Sequence, residues 1–185
     1  MKPAVLGLAI VLCLSLAISC GEKAQQEQTP ATEAEESTIG FTSEEFSFGV
    51  YFDAEATMRT VVLEEGQTEI DVYIILHFPE GTGIAAVEFR LELPEGVRIM
   101  SDSFYEKRTL TMGTFDHGYS EGFPCVYGPK MQLHKLTMSI EGELENGVIS
   151  ILEAKNTGQL AVAMCDEGYT TIRASSFKGV INPTE

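Results

Sequence analysis

The chain has 185 residues, of which 44% are hydrophobic, so it is long enough for one ordinary domain and a tail. Its 28 acidic residues outnumber its 12 basic residues, and the formal net charge is −16 at pH 7. Proteins attract nucleic acid and anionic membrane surfaces through clustered Lys and Arg, so this charge balance argues against electrostatic binding to either.

The first twenty residues have the pattern of an export signal. Lys2 precedes a predominantly apolar run over residues 3–18. A membrane-spanning helix needs about 20 apolar residues, so this shorter run is typical of a signal peptide. The small residue Ser19 then precedes Cys20.

This segment resembles the bacterial lipoprotein signal, in which signal peptidase II cuts before a cysteine that carries diacylglycerol. Ala17 stands where Leu is usual in that signal. The resemblance implies a signal peptide over residues 1–19 and a lipidated Cys20 that anchors the mature chain in the bacterial cell envelope. Cleavage at another site, which would leave Cys20 as a free thiol, is the alternative. Gly21 after the cysteine, in place of Asp, implies outer-membrane delivery in an organism that has this membrane, with the chain facing the periplasm or the exterior.

Residues 20–40 have the composition of a linker. They are rich in Glu, Gln, Thr, Ala and Pro, and they hold no large apolar residue before Ile39. Such a segment buries too little surface to offset the entropy lost on ordering, so we expect a disordered acidic linker. Without residues 1–19 the chain keeps 11 basic and 28 acidic residues, a net charge of −17. The lipid, and not charge, would then hold the protein at the membrane.

Residues 41–185 show the two-residue period of β-strands. Alternate residues are apolar from Ile70 to Phe78 and again from Val87 to Leu93. No segment shows a sustained helical period. About nine short strands separated by turn residues predict an all-β domain, an antiparallel β-sandwich of the jelly-roll type.

Two features near the end of the chain predict particular pairings. Asn146-Gly147 accepts positive φ at low cost, which predicts a hairpin between strands near residues 132–141 and 148–154. Val180-Ile181 predicts an edge strand close to the C-terminus.

Residues 101–130 have weak periodicity and many aromatic, glycine and proline residues. We expect long loops here, around one short strand near Thr109–Met112. Flat aromatic faces often hold sugars, so this region supplies the candidate ligand-binding residues. The alternative is that its aromatic side chains fill the end of the core. The candidates are Tyr105, Phe115, His117, Tyr119 and Tyr127.

Two cysteines remain once Cys13 leaves with the signal and Cys20 carries lipid. An even pair, Cys125 and Cys165, in an exported and oxidising compartment favours a disulfide bond. The bond would close a loop of about 40 residues and stabilise the fold by about 4 kcal/mol. Two reduced thiols are the alternative. Zinc is not expected, because no Cys or His pair has the spacing of a zinc site.

Part of the strand pattern carries a family resemblance. Val72–Leu76, then a glycine-containing turn, then Gly83–Pro94 resemble the successive strands of the cohesin and carbohydrate-binding-module sandwiches. The likeness covers residues 48–100, and Tyr51–Ala56 is similar to the opening of other exported bacterial proteins. The resemblance implies a nine-stranded jelly-roll. It rests mainly on a pattern of core residues, so it indicates the fold more than the function.

We expect a non-catalytic protein-interaction module, with an unidentified envelope protein as its partner. In the cohesin manner, docking would use an exposed sheet face bearing Tyr73, Ile75 and Glu88. The alternative is glycan binding by the aromatic region between Tyr105 and Tyr127.

An enzyme, in the form of a hydrolase, is a remote alternative. His77 and His134 alternate with aliphatic residues, so we expect them on an outer or edge face without a chemical role. His117 lies beside an acid, but no nucleophile motif accompanies it. We expect no cofactor and no metal. No 12-residue calcium-loop pattern occurs, although the acidic segments 53–55 and 166–167 offer oxygen ligands for calcium.

Overall fold

Residues 45–184 are the part of the chain that the structure, a computed structural model, describes. The predicted signal peptide, Cys20 and the linker lie outside these residues. The described part contains thirteen strands and no helix, and therefore no helix that could cross a membrane. In chain order the strands are β1 (Ser47–Tyr51), β2 (Thr60–Val61), β3 (Glu69–His77), β4 (Gly83–Glu92), β5 (Val97–Phe104), β6 (Leu110–Thr114), β7 (Gly118–Tyr127), β8 (Lys130–Ile140), β9 (Gly147–Leu152), β10 (Ala161–Met164), β11 (Thr171–Arg173), β12 (Ser175–Phe177) and β13 (Gly179–Ile181).

The strands form two sheets. One has five strands in the order β12-β1-β3-β8-β5, and the other has the order β11-β10-β4-β9-β13-β2, with β7 and then β6 extending from β4. Ala86 of β4 pairs with both β7 and β10, so these two strands flank β4 on opposite edges. The pairings are antiparallel except β1 with β12 and β2 with β13. The described fold is therefore an all-β sandwich, as predicted, with mixed sheets.

The inner faces of the two sheets form the core. Phe48 of β1 and Phe89 of β4 are fully buried, and their ring centroids lie 5.5 Å apart across the interface. Burial of each side chain of this size stabilises the fold by about 1.5–3 kcal/mol. The alternating apolar residues that predict β3 and β4 lie on these inner faces. Other fully buried side chains are Ile74, Leu76, Ile84, Leu136, Met138, Ile149 and Ile151.

Residues 101–130 form strands, and the prediction of long loops was wrong. β5 extends to Phe104, and β6 and β7 occupy most of the segment from there to residue 130. All five residues of β6 are exposed, so β6 has no buried face that would produce an alternating pattern. β7 carries Gly122 and Pro124 and is bulged against β4, which gives it a loop-like sequence. The described strands include four of only two or three residues, and the strand predicted at Val180-Ile181 is one of these.

The predicted hairpin at Asn146-Gly147 is also wrong, although the turn itself is present. Asn146 has φ 48°, and its N–H donates to the carbonyl of Asn182. A Cβ at Gly147 would lie 2.5 Å from the Leu144 side chain, so a larger residue there would force that leucine to move. However, β8 pairs with β3 and β5 whereas β9 pairs with β4 and β13, so the chain crosses between sheets at this turn. β13 lies between β9 and β2 and is not an edge strand.

Candidate functional site

The candidate aromatic residues lie in different places. The rings of Phe115 and Tyr119 are stacked with centroids 4.4 Å apart, and Tyr119 is buried. Tyr105 is half-buried and packs edge-on against Phe123. His117 and Tyr127 are exposed at opposite ends of β7, about 30 Å apart along an extended strand. The structure therefore brings Phe115 and Tyr119 together in the core and separates the other three.

A buried polar cluster lies against this aromatic pair. His134 is fully buried, and its ring centroid is 5.1 Å from that of Phe115 and 5.2 Å from that of Tyr119. Its Nδ1 lies 2.8 Å from Oδ1 of Asp102, and its Nε2 lies 3.4 Å from Oε1 of Glu121. Glu121 is only 1% exposed, and neither of its oxygens has a hydrogen-bond partner among residues 45–184. The expectation that His134 lies on an outer or edge face was wrong.

His134 shares the inward face of Leu136 and Met138, and a β-bulge adds Leu133 to that face. The register between β3 and β8 shifts between Ile74 and Ile75, which leaves Leu133 as an extra residue in β8. Leu133 and His134 are consecutive, yet both are fully buried. A regular strand would have placed them on opposite faces.

Arg108 completes the polar cluster. Its Nη1 donates a 2.5 Å hydrogen bond to the Tyr119 hydroxyl and lies 3.9 Å from Oε2 of Glu121. Its guanidinium lies over the ring of Phe104, 3.3 Å from the centroid. With His134 protonated, the cluster holds two cations and two carboxylates and is neutral overall.

Burial and the neighbouring charges act in opposite directions on His134. Burial alone would lower the pKa of the imidazole, but the carboxylates of Asp102 and Glu121 outweigh it and the pKa is raised. Burial, followed by the charge of Glu121, raises the pKa of Tyr119, so its hydroxyl stays neutral. The two carboxylates lie on opposite sides of the imidazole and do not converge on one point. Within residues 45–184, no group of three His, Cys, Asp or Glu side chains is placed to hold a metal ion.

The acidic segments considered for calcium use their carboxylates within their own turns. The Asp53 carboxylate accepts hydrogen bonds from the N–H groups of Thr57 and Met58 and from the Thr57 hydroxyl. Asp166 accepts one from the N–H of Thr170. These bonds hold the pKa of each aspartate below its ordinary value.

A second feature is the outer face of one sheet, half-buried at its centre, which we call the small-residue face. It is the outer side of β6, β7, β4, β10 and β11, whose registers align two rows of outward-facing side chains. The first row is Leu110, Gly122, Ala86, Ala163 and Thr171, and the second is Met112, Ser120, Glu88, Ala161 and Arg173. The row between them contains Glu121, Val87 and Val162, which are buried.

The small-residue face carries few charged side chains. Glu88 accepts a hydrogen bond from the Ser120 hydroxyl at 3.2 Å, and Arg173 forms an ion pair with Glu153. Leu110 and Met112 are 54% and 57% exposed on β6, which pairs with β7 alone among the described strands. The face therefore offers small side chains at its centre and two exposed apolar side chains at an open edge.

The Cys125–Cys165 disulfide, predicted from the sequence, is confirmed. Cys125 lies in β7 and Cys165 directly follows β10, so the bond joins the two strands that flank β4. It crosses β4 at Gly83, where a Cβ would lie 2.7 Å from the ring of Tyr127 and 3.0 Å from the Cys165 Cβ. Tyr127, 65% exposed, covers this end of the sheet.

The three residues expected to share a docking face do not share one. Tyr73 and Ile75 belong to β3 in the five-stranded sheet, and Ile75 is only 1% exposed. Glu88 belongs to β4 and lies on the small-residue face. His77, near Tyr73, is half-buried, and its Nε2 lies 3.0 Å from the Tyr51 hydroxyl.

Comparison with known proteins agrees with the fold described above. No family model and no curated protein matches the sequence. A cohesin module from a Clostridium perfringens family 33 glycoside hydrolase is similar at 10% identity and TM-score 0.53, over 76% of this chain and 99% of its own. A non-cellulosomal cohesin from the archaeon Archaeoglobus fulgidus is similar at 6% identity and TM-score 0.51, over 76% and 92%. A chain of a type I cohesin–dockerin complex from Clostridium thermocellum is similar at 11% identity and TM-score 0.50, over 76% and 100%.

At these identities the likeness shows the fold alone, a cohesin-like β-sandwich. The sequence resemblance to cohesin-like sandwiches is thereby confirmed for the fold.

Proposed function

We propose that the chain is a lipid-anchored extracytoplasmic protein whose sandwich docks a protein partner through the small-residue face and performs no catalysis. The observation that carries this proposal is the contrast between the face and the rest of the chain. The net charge is −16, yet only two of the ten positions in the two rows of this face, Glu88 and Arg173, carry a charge. One of the similar structures is a cohesin–dockerin complex, which lends the docking of a protein partner some support by analogy.

The shape of the face indicates the chemistry of the partner. Gly122, Ala86 and Ala163 have little or no side chain, so a partner element can approach the sheet closely. Leu110 and Met112 supply exposed apolar contacts, and the unbranched methionine adapts to irregular surfaces. The partner would present an apolar, weakly charged surface, and its binding would change little with salt.

The alternatives receive less support from the geometry. Phe115 and Tyr119, the central residues of the glycan hypothesis, have their rings packed against each other and against His134. The polar cluster pairs its histidine with two carboxylates on opposite sides, and no serine, threonine or cysteine of the described residues is hydrogen-bonded to that histidine. Protein docking is therefore the function that we favour.

The test is affinity capture with the full-length protein purified from bacterial membranes. Ala86→Arg places a bulky charge at the centre of the small-residue face and should abolish recovery of a stoichiometric partner. Ser101→Arg adds the same charge at an exposed position of β5 in the other sheet and should leave recovery unchanged. If no stoichiometric partner is recovered, or if both variants lose it equally, docking at this face is wrong. Glycan binding that Tyr127→Ala removes would favour the rival function.

A further inference from the structure

A cavity separate from the small-residue face opens between the two sheets. It lies where β4 ends and the Pro94–Gly96 turn leads into β5, and its volume is about 490 Å³. Small-molecule pockets fall in the range of roughly 300–1,000 Å³. Its apolar lining is Leu91, Leu93, Val97, Ile99 and Phe115. Leu93, Ile99 and Phe115 are only half-buried, so the core is open to solvent here.

Basic residues are concentrated at the rim of this cavity. The described part of the chain has ten Lys and Arg residues, and three of them, Arg90, Arg98 and Lys155, line this one cavity. The acids Glu92 and Asp116 also line it, so the rim carries a net charge of about +1 in a strongly acidic protein. This local reversal of charge favours an anionic ligand.

The cations differ in how far they are already paired. Arg90 donates its Nε–H to the Glu153 carbonyl at 2.9 Å, and its Nη1 lies 3.7 Å from Glu92. Arg98 lies 3.4 Å from Glu141. Lys155 acts electrostatically on the Asp116 carboxylate but has no ion pair within 4.0 Å among the described residues, so its ammonium can still form a direct ion pair with a ligand.

We propose that this cavity binds a small amphipathic carboxylate. The apolar body of the ligand packs against Leu93, Ile99 and Phe115, and its carboxylate pairs with Lys155. Apolar walls with a few placed polar groups are the usual composition of a small-molecule site, and a charged partner strengthens the hydrogen bond to a carboxylate. The larger cavity of about 670 Å³ at Glu141–Gly147 has an acidic lining that would repel such a ligand.

The experiment uses octanoate as the probe, below its micellar concentration. The non-lipidated mature chain, residues 20–185 with Cys20→Ser, keeps every described residue and avoids detergent. Titration followed by ¹⁵N NMR should give saturable shifts at Leu93, Ile99 and Lys155. Octylammonium, with the same chain length and the opposite charge, should bind about tenfold or more weakly. Acetate, which lacks the apolar body, should not saturate.

Two substitutions and one control separate this site from non-specific binding. Lys155→Glu and Leu93→Gln should each weaken octanoate binding by about tenfold or more. Lys178→Glu makes the same charge change at an exposed lysine outside the cavity and should have no effect. Equal binding of octanoate and octylammonium, equal behaviour of the two lysine variants, or shifts mapped to another surface would overturn the proposal. Failure of protein docking at the small-residue face has no bearing on these outcomes.

Discussion

The contacts of Glu121 are unusual for a charged side chain in a sandwich core. In the part of the chain that the structure describes, neither of its carboxylate oxygens has a hydrogen-bond partner. Burying a charge costs several kcal/mol unless another charge compensates it. His134 and Arg108 are the cations within 4.0 Å of this carboxylate, while Asp102 holds the other side of His134. A proton on His134 therefore keeps the interior of the sandwich neutral.

Stability should fall as that proton leaves. The pKa of His134 is raised above 6.5 in the folded chain, so its contribution is fully present below pH 6.5 and is lost as pH rises through the folded pKa. His134→Gln should cost about 3–5 kcal/mol at pH 6, because it leaves two carboxylates without this cation. The difference from wild type should be smaller at pH 9. Urea denaturation of the wild type and the variant at the two pH values measures both differences in the free energy of unfolding.

His77 provides a matched control for this pH dependence. Burial, aided by the charge of Lys130, lowers the pKa of His77, so its effect on stability has the opposite sign. For His77→Gln, the advantage of the wild type should increase from pH 6 to pH 9. A stability loss for His134→Gln that is the same at both pH values would contradict a protonated His134 in the core.

Among the strands, the sequence predicts the ones that bury one regular face. β3, β4 and β8 alternate apolar and polar residues because one side of each packs on the opposite sheet. β6 is an exposed edge strand, so no such alternation marks it. In β7 the inward residues Tyr119, Glu121 and Phe123 do alternate. A period-two test that accepted a charged residue would have detected β7 and placed Glu121 inside.

Pairing between strands was less predictable than the strands themselves. The turn chemistry of Asn146-Gly147 is local and was recognised, but the choice of partner for β9 depends on contacts distant in sequence. The burial of Leu133 directly beside His134 depends on a bulge against β3, which has no signature in β8 alone. The small-residue face was missed for the same reason, since its two rows combine residues from five strands.

The disulfide holds together the strands on either side of β4. Reduction, or the double substitution Cys125→Ala with Cys165→Ala, should lower the free energy of unfolding by about 2–4 kcal/mol, because the unfolded chain regains the freedom of a loop with a sequence separation of 40. Thermal unfolding with and without reductant measures this. The double variant is the control and should not respond to reductant. Equal stability of the oxidised and reduced wild type would contradict a stabilising role.

For the whole molecule, charge and anchoring have to be considered together. The predicted mature chain has a net charge of −17, so an anionic bilayer would repel it, and the proposed attachment to a membrane would depend on lipid. The same charge keeps copies of the chain apart in solution. A weakly charged face on such a protein is the place where a partner can approach without electrostatic cost. Anchor, linker and sandwich are consistent with display of that face at a membrane surface.

The anchor itself can be tested by exchanging one sulfur atom for oxygen. Cys20→Ser should move the protein from the membrane fraction to the soluble fraction and abolish palmitate incorporation, because serine offers no thiol to the diacylglyceryl transfer. Cys13→Ser lies within the predicted signal peptide and should leave both unchanged, since that residue is removed with it. Fractionation and labelling of cells expressing each variant make the comparison. If Cys20→Ser remains in the membrane fraction, attachment does not depend on this cysteine, and the lipoprotein hypothesis is wrong.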